Sequence, residues 1–147
     1  MKITTAIDIS CIPEKVFSWI NNPDKAMHWQ KGVKSGEIIK ETSNKIGTTF
    51  KEELEENGKS LVMYGEITDY IPNKLISFHL ESKVHRVYVN YSVVGDKNKS
   101  TVTVASTIKW KFPMNIISLI IGYKIRTDIL RQTKSELTEL KKLSEKE

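Results

Sequence analysis

The sequence predicts an α+β fold: a seven-stranded, curved antiparallel sheet wrapped around one long C-terminal helix, with two short helices after strand one. Three observations carry this. The chain opens with strand alternation followed by a proline-started helical pattern. Its middle is a series of extended runs separated by short turn signals. Its last third is helical in period almost to the end.

Strand one runs from Lys2 to Ile9, where Ile3, Thr5, Ile7 and Ile9 alternate with Thr4, Ala6 and Asp8. Next, "SCIPEKVFSWINNPDKAMHW" changes to helical spacing. Pro13 suits a first turn, and Val16, Phe17 and Ile20 share one side. Asn21, Asn22 and Pro23 break this helix, and a second short helix or turn carries Met27, His28 and Trp29. Strands then follow in "GVKSGEIIKE" and "GTTFKEELEE", with Phe50 and Leu54 facing one way and Lys51, Glu53 and Glu55 the other. The "ENGK" at Glu56 to Lys59 sets Asn-Gly between extended runs, a hairpin signal. "SLVMYGEITDYI", "KLISFHLES", "HRVYVNYSVV" and "STVTVASTIKW" complete the sheet; their connections are too short for crossover helices, so neighbours are antiparallel.

After Pro113 a helix of roughly 30 residues begins. Its second half carries Leu130, Leu137 and Leu140 as an apolar stripe, and the terminal "SEKE" is expected to fray. Its first half, Ile116 to Tyr123, is apolar nearly all round, which predicts burial on every side. The uncharged run from Phe112 to Tyr123 falls short of the roughly 20 residues of a spanning helix, so no transmembrane segment is expected. One domain is expected over residues 1–147. Cys11 is the sole cysteine, so no intrachain disulfide can form, and a cytoplasmic location is the expectation.

The net charge of +5 is concentrated: six basic residues face one acidic residue between Lys83 and Lys111. These are expected to form one patch on the outer sheet face. No nucleic-acid motif accompanies them, and a nucleic-acid partner is not expected. His28, His79 and His85 make no metal-ligand spacing, and there is no phosphate loop, dinucleotide fingerprint or Gly-X-Ser-X-Gly, so no metal or cofactor is called for. His79 and His85 straddle a turn and could face one another across a hairpin. Cys11 stands just before a helix start but has no defined base beside it. Among strand residues that could point inward with polar groups, Glu66, His79, Arg86, Tyr88 and Tyr91, parity sets Tyr91 with Val87, Val89 and Val93 and puts Arg86 and Tyr88 opposite.

Three stretches resemble the START-like, SRPBCC or helix-grip superfamily of polyketide cyclase/dehydrase and lipid-transport proteins: "IDISCIPEKVFSWINNPDKAMHW", "IGTTFKEEL" and "YGEITDYIPNKLISFHL". The resemblance covers essentially the whole chain and rests on structural motifs, which specify fold better than activity. It implies an apolar cavity between sheet and long helix, with the opening turns of that helix as its wall. Helical spacing nominates Met114, Ile117 and Ile121 for that wall. Strand alternation adds Phe78, Tyr91, Ile108 and Trp110, and the short-helix region adds Trp29; core packing alone would also account for each. The function implied is binding of a hydrophobic small molecule or lipid, without assigned chemistry. The superfamily also offers a polyketide cyclase or aromatase, and an interaction protein like the activators of heat-shock ATPases.

Overall fold

The computed structural model describes residues 1–56 and 58–146. Its order is β1 (Lys2–Ile9), α1 (Pro13–Asn21), α2 (Pro23–Ala26), β2 (Val33–Lys40), β3 (Thr49–Glu56), β4 (Lys59–Ile71), β5 (Leu75–Glu81), β6 (His85–Gly95), β7 (Ser100–Trp110) and α3 (Met114–Glu145). All seven strands form one antiparallel sheet in the order β1-β7-β6-β5-β4-β3-β2. Strands β2 to β7 are a meander. β1 closes the far edge beside β7, so α1 and α2 must carry the chain from one edge to the other. Register shifts between Val33 and Ser35, Ile38 and Lys40, and Ile67 and Asp69 place irregularities in β2 and β4, where bulges bend strands and increase twist. Asn57, on which the Asn-Gly turn expectation partly rests, lies outside the described residues. The flanking strands pair from Glu56 and Lys59 outward.

The inner face is read directly from register. Phe50 opposes Gly65, Gly65 opposes Leu80, Leu80 opposes Val87 and Val87 opposes Ile108, one row of a single face. The core lies on this face, where Ile9, Val102, Leu137 and Leu140 meet Val16 and Phe17 of α1. Pro13 occupies the first turn of α1, and the Asn22 side chain accepts hydrogen bonds from the Asp24 and Lys25 backbone N–H groups at 3.0 and 3.3 Å to start α2.

The long helix departs from expectation. α3 packs on β1, β7 and α1, and its second half buries Leu137 and Leu140. Its first half is not buried on every side: Ile116, Leu119, Ile120 and Tyr123 face solvent, whereas Met114 and Ile125 are partly covered. The helix is interrupted at Ile121 (φ −113°, ψ 18°), beside Gly122, a poor helix former. Up to Lys146 the C-terminal turn is tied rather than frayed: Ser10 N–H donates to Glu145 at 2.8 Å and Lys15 Nζ to the Lys146 carbonyl at 2.7 Å, while Glu147, the last residue of that expectation, lies outside the described residues.

Two further expectations are corrected. The basic residues between Lys83 and Lys111 do not form one patch. Lys97 and Lys99 sit at the β6–β7 turn, whereas Lys83, Arg86, Lys109 and Lys111 sit at the opposite end of strands 11 residues long. His79 and His85 do not face one another, because the register pairs His79 with Tyr88 and His85 with Trp110, on opposite faces.

Candidate functional site

Between α1–α2 and the inner face of β2 to β6 lies a cavity of about 380 Å³. Its apolar wall is built by Ile20, Phe50, Ile67, Ile76 and Phe78, and its polar groups include Gln30, Glu52 and Tyr91. The aromatic rings form a continuous track. Phe50 meets Phe78 edge-on at 5.7 Å, Phe78 stacks on Tyr91 at 6.2 Å with 20° between planes, and Trp29 meets Tyr91 edge-on at 5.9 Å. Trp29 is itself fixed from behind, its Nε1 donating to the Trp19 carbonyl at 2.8 Å. At the α1 side of the cavity, Asn21 Nδ2 donates to Tyr70 Oη at 3.0 Å, and Phe17 packs edge-on against the same ring at 5.8 Å.

Two carboxyl groups stand near Tyr91, and one of them, Glu52, lines the cavity. Glu52 shares strand parity with Phe50 and Leu54 and so points inward, where burial pushes its carboxyl up to about 6. Glu136 of α3 stands close enough to interact with Glu52 and Tyr91 but does not line the cavity. Burial, with the Glu52 charge adding, pushes it up to about 7 against the opposing hydrogen bonds from the Lys31 backbone N–H, at 2.7 Å, and Gln132. Burial, then the neighbouring Glu136 charge, raises the Tyr91 phenol above its usual range, opposed by a hydrogen bond with Gln30. Tyr91 is therefore a neutral donor and acceptor throughout the physiological range. Glu52 and Glu136 titrate near neutrality, where a carboxyl can both take and give a proton.

Of the residues nominated from sequence, Phe78 and Tyr91 line this cavity, and Trp29 backs it through its contact with Tyr91. Ile108 is buried on the inner face of β7, and Trp110 packs on His85 with ring centroids 5.1 Å apart. Met114, Ile117 and Ile121 lie in the first turns of α3. None of these last five is among the cavity-lining residues. The wall opposite the sheet is built by the short helices, because α3 lies over β1 and β7 instead of the centre. Of the other inward polar candidates, Glu66 and His79 belong to the outer face and pair there at 3.4 Å, and Arg86 pairs with Glu81 at 2.8 Å. Sequence reasoning missed Glu52 and Glu136. The alternation of β3 did place Glu52 inward.

A larger hollow of about 900 Å³ lies against the outer face, near His79, Glu81 and Lys111. Exposed Tyr64 and Ile39 edge it, and among the described residues no helix covers that face, so it lacks the second layer that the short helices give the inner cavity. No group of His, Cys, Asp or Glu suited to a metal ion occurs among the described residues.

No protein-family model matches the sequence, and no curated protein matches it. Solved structures do match along nearly the full length. A START superfamily protein from Mycobacterium smegmatis superposes with a TM-score of 0.82 at 14% identity, covering 98% of this chain and 97% of that one. A protein from Thermus thermophilus, TTHA0849, gives 0.79 at 15% identity, covering 98% and 97%. The Zhui aromatase/cyclase from Streptomyces sp. R1128 gives 0.77 at 11% identity, covering 99% and 93%. At such identities the likeness carries the fold and not the activity. With its seven-stranded antiparallel sheet, two short helices after β1 and long C-terminal helix, the chain has the START-like, helix-grip fold.

Proposed function

We propose that this protein binds a small amphipathic molecule in the cavity between its short helices and its sheet. The observation that carries this is the lining of the site: an aromatic and aliphatic wall of Phe50, Ile67, Ile76 and Phe78 facing polar side chains that include Gln30, Glu52 and Tyr91, with Asn21, Glu41 and Lys45 also on the lining. The apolar body of the ligand lies along Phe50, Ile67, Ile76 and Phe78, and its polar head meets Gln30, Glu52 and Tyr91. Beside Gln30, Tyr91 and Glu52 the head is a hydrogen-bonding group such as a hydroxyl or an amine; Lys45 and Lys51 line the cavity as well. The lone thiol, Cys11, fits action in the cytoplasm.

Native mass spectrometry of freshly purified protein, followed by tryptophan-fluorescence titration with lipophilic alcohols and amines, tests this reading. Saturable binding that is lost when Ile67→Trp fills the cavity is the expected result. No binding by any such compound, or equal binding by the filled variant, overturns it.

A second reading is supported by one observation, the Glu52 carboxyl with a value near 6 in the same cavity as the Tyr91 phenol. Such a pair can move a proton at carbon beside a bound carbonyl, as a cyclase or aromatase requires. Deuterium exchange into a bound aromatic ketone's α-position, present in the wild type and lost in Glu52→Gln, supports it; exchange unchanged by that substitution removes it.

A further inference from the structure

The most exposed apolar surface lies outside the cavity, on α3. Ile116, Leu119 and Ile120 share one face of the turns before the kink at Ile121, and Tyr123 follows just beyond it; they are 51%, 84%, 82% and 88% exposed. Phe112, 76% exposed, extends the stripe toward the end of β7. On the other side of these turns Met114, and Ile125 beyond the kink, are partly covered, whereas Ile117 and Ile121 are still 39% and 44% exposed. The side that carries Leu119 and Ile120 is the one turned furthest from the rest of the protein.

The charge around this stripe is of one sign. From Lys109 to Thr127 there are four basic residues and no acidic one. Lys83 joins them at the Phe112 end, since its turn is bonded to the end of β7 through Lys111 N–H and the Val84 carbonyl at 2.8 Å. Lys111 binds Glu81 at 3.0 Å, and Arg126 donates to the Lys2 carbonyl at 2.6 Å, so both are held in place beside the stripe. Glu81, the acidic group near this end, is already matched by Arg86 and Lys111. Asp128 lies one turn beyond Lys124, with Arg131 at 3.6 Å.

We infer that this face of α3 docks on an anionic phospholipid surface, with the helix lying flat and Leu119 and Ile120 entering the acyl boundary. A helix with a large exposed apolar stripe and a basic border has the composition of an interfacial helix, and Phe112 and Tyr123 place aromatic rings at its two ends. Charge disfavours a second copy as the occupant. A twofold dimer through this stripe brings the same surface against itself: with the helices antiparallel the Lys111 end of each copy meets the Lys124 end of the other, and with them parallel each basic end meets its equivalent. An anionic surface is complemented by that border. The segment rests on the bilayer and does not cross it, for no helix among the described residues is long and apolar enough to span. This inference is independent of the cavity and of what fills it.

Vesicle flotation tests it, with full-length protein and vesicles of phosphatidylglycerol mixed with phosphatidylcholine, or of phosphatidylcholine alone. The expected result is flotation with the anionic vesicles only, weakened by salt. Leu119→Glu with Ile120→Glu should lower the partition coefficient more than tenfold, and Lys124→Glu roughly fivefold. These side chains are exposed, so the variants should keep the wild-type circular dichroism and thermal midpoint, which separates lost docking from lost folding. Absence of flotation with anionic vesicles overturns the inference, as does equal flotation of the double variant. Sedimentation showing a wild-type dimer that Leu119→Glu dissolves also overturns it, because the stripe would then belong to a second copy.

Discussion

The ring of Phe50 lies across Gly65: a Cβ added to that glycine would stand 2.3 Å from Phe50 Cζ. The two residues are register partners on β3 and β4, so the missing side chain lets the ring lie flat on the sheet and contact Phe78 edge-on. Gly65→Ala must push the ring toward the cavity. The expected outcome is weaker binding of an apolar ligand and a stability loss of about 1–3 kcal/mol, read by titration and urea unfolding. Gly122→Ala is the contrast: nothing lies within 4 Å of its Cβ position, and it should stabilise α3 by roughly 0.5–1 kcal/mol.

The two half-buried carboxyls make stability depend on pH in a defined direction. Glu52 and Glu136 rise from an ordinary 4.5 to about 6 and about 7, so the folded protein favours their protonated forms. Their contribution is complete below 4.5 and is lost as pH rises through about 6 for Glu52 and about 7 for Glu136. Asp8, Glu81 and Glu145 act in the opposite sense, held low chiefly by hydrogen bonds from Thr101, Lys111 and Lys141 respectively. Comparing Glu52→Gln with wild type cancels those surface groups. At pH 8 the variant should be more stable by about 1 kcal/mol, allowing for solvent screening, and the difference should close as pH falls toward 4.5. A gap that is the same at both pH values would mean that Glu52 is not desolvated.

Tyr91 has two separable roles. Its ring stacks on Phe78 and receives the edge of Trp29, whereas its hydroxyl faces Gln30 and the two carboxyls. Tyr91→Phe keeps the stacking and removes the hydroxyl. Unfolding free energy should change by no more than about 1 kcal/mol, and affinity for a ligand bearing a hydroxyl or amine should fall by up to about tenfold. Affinity for a pure hydrocarbon should be unchanged. Calorimetric titration with a matched alcohol and alkane pair measures the difference.

The sheet was legible because its signals are local. Alternation in Lys2–Ile9 and the shared parity of Val87, Val89, Tyr91 and Val93 state which side chains share a face whatever lies beyond them. Glu52 shows where that logic is misread. It sits between Phe50 and Leu54 in parity, yet a glutamate on a strand suggests solvent, and only the closing layer of α1 and α2 makes its position a cavity wall. Glu136 precedes Leu137 and is four residues before Leu140, so its direction was readable while its neighbours were not. The start of α3 was misread for the same reason. Apolarity marks a side chain that gains by leaving water, but burial needs a partner layer, and α3 has one on a single side.

That correction is itself measurable through two leucines of one helix. Leu140 is fully buried against the α1 and β-sheet core, whereas Leu119 projects outward from the second turn of the helix. Leu140→Ala removes a packed side chain and leaves a cavity, which should cost about 2–5 kcal/mol. Leu119→Ala removes an equal volume from solvent-facing surface and should stay within about 0.5 kcal/mol of wild type. Urea unfolding with dilute protein and no lipid reads both, because association or docking would add a concentration-dependent term. Equal losses at the two positions would mean that the first turns of α3 are covered by protein after all, and the stripe from Ile116 to Tyr123 would then be core.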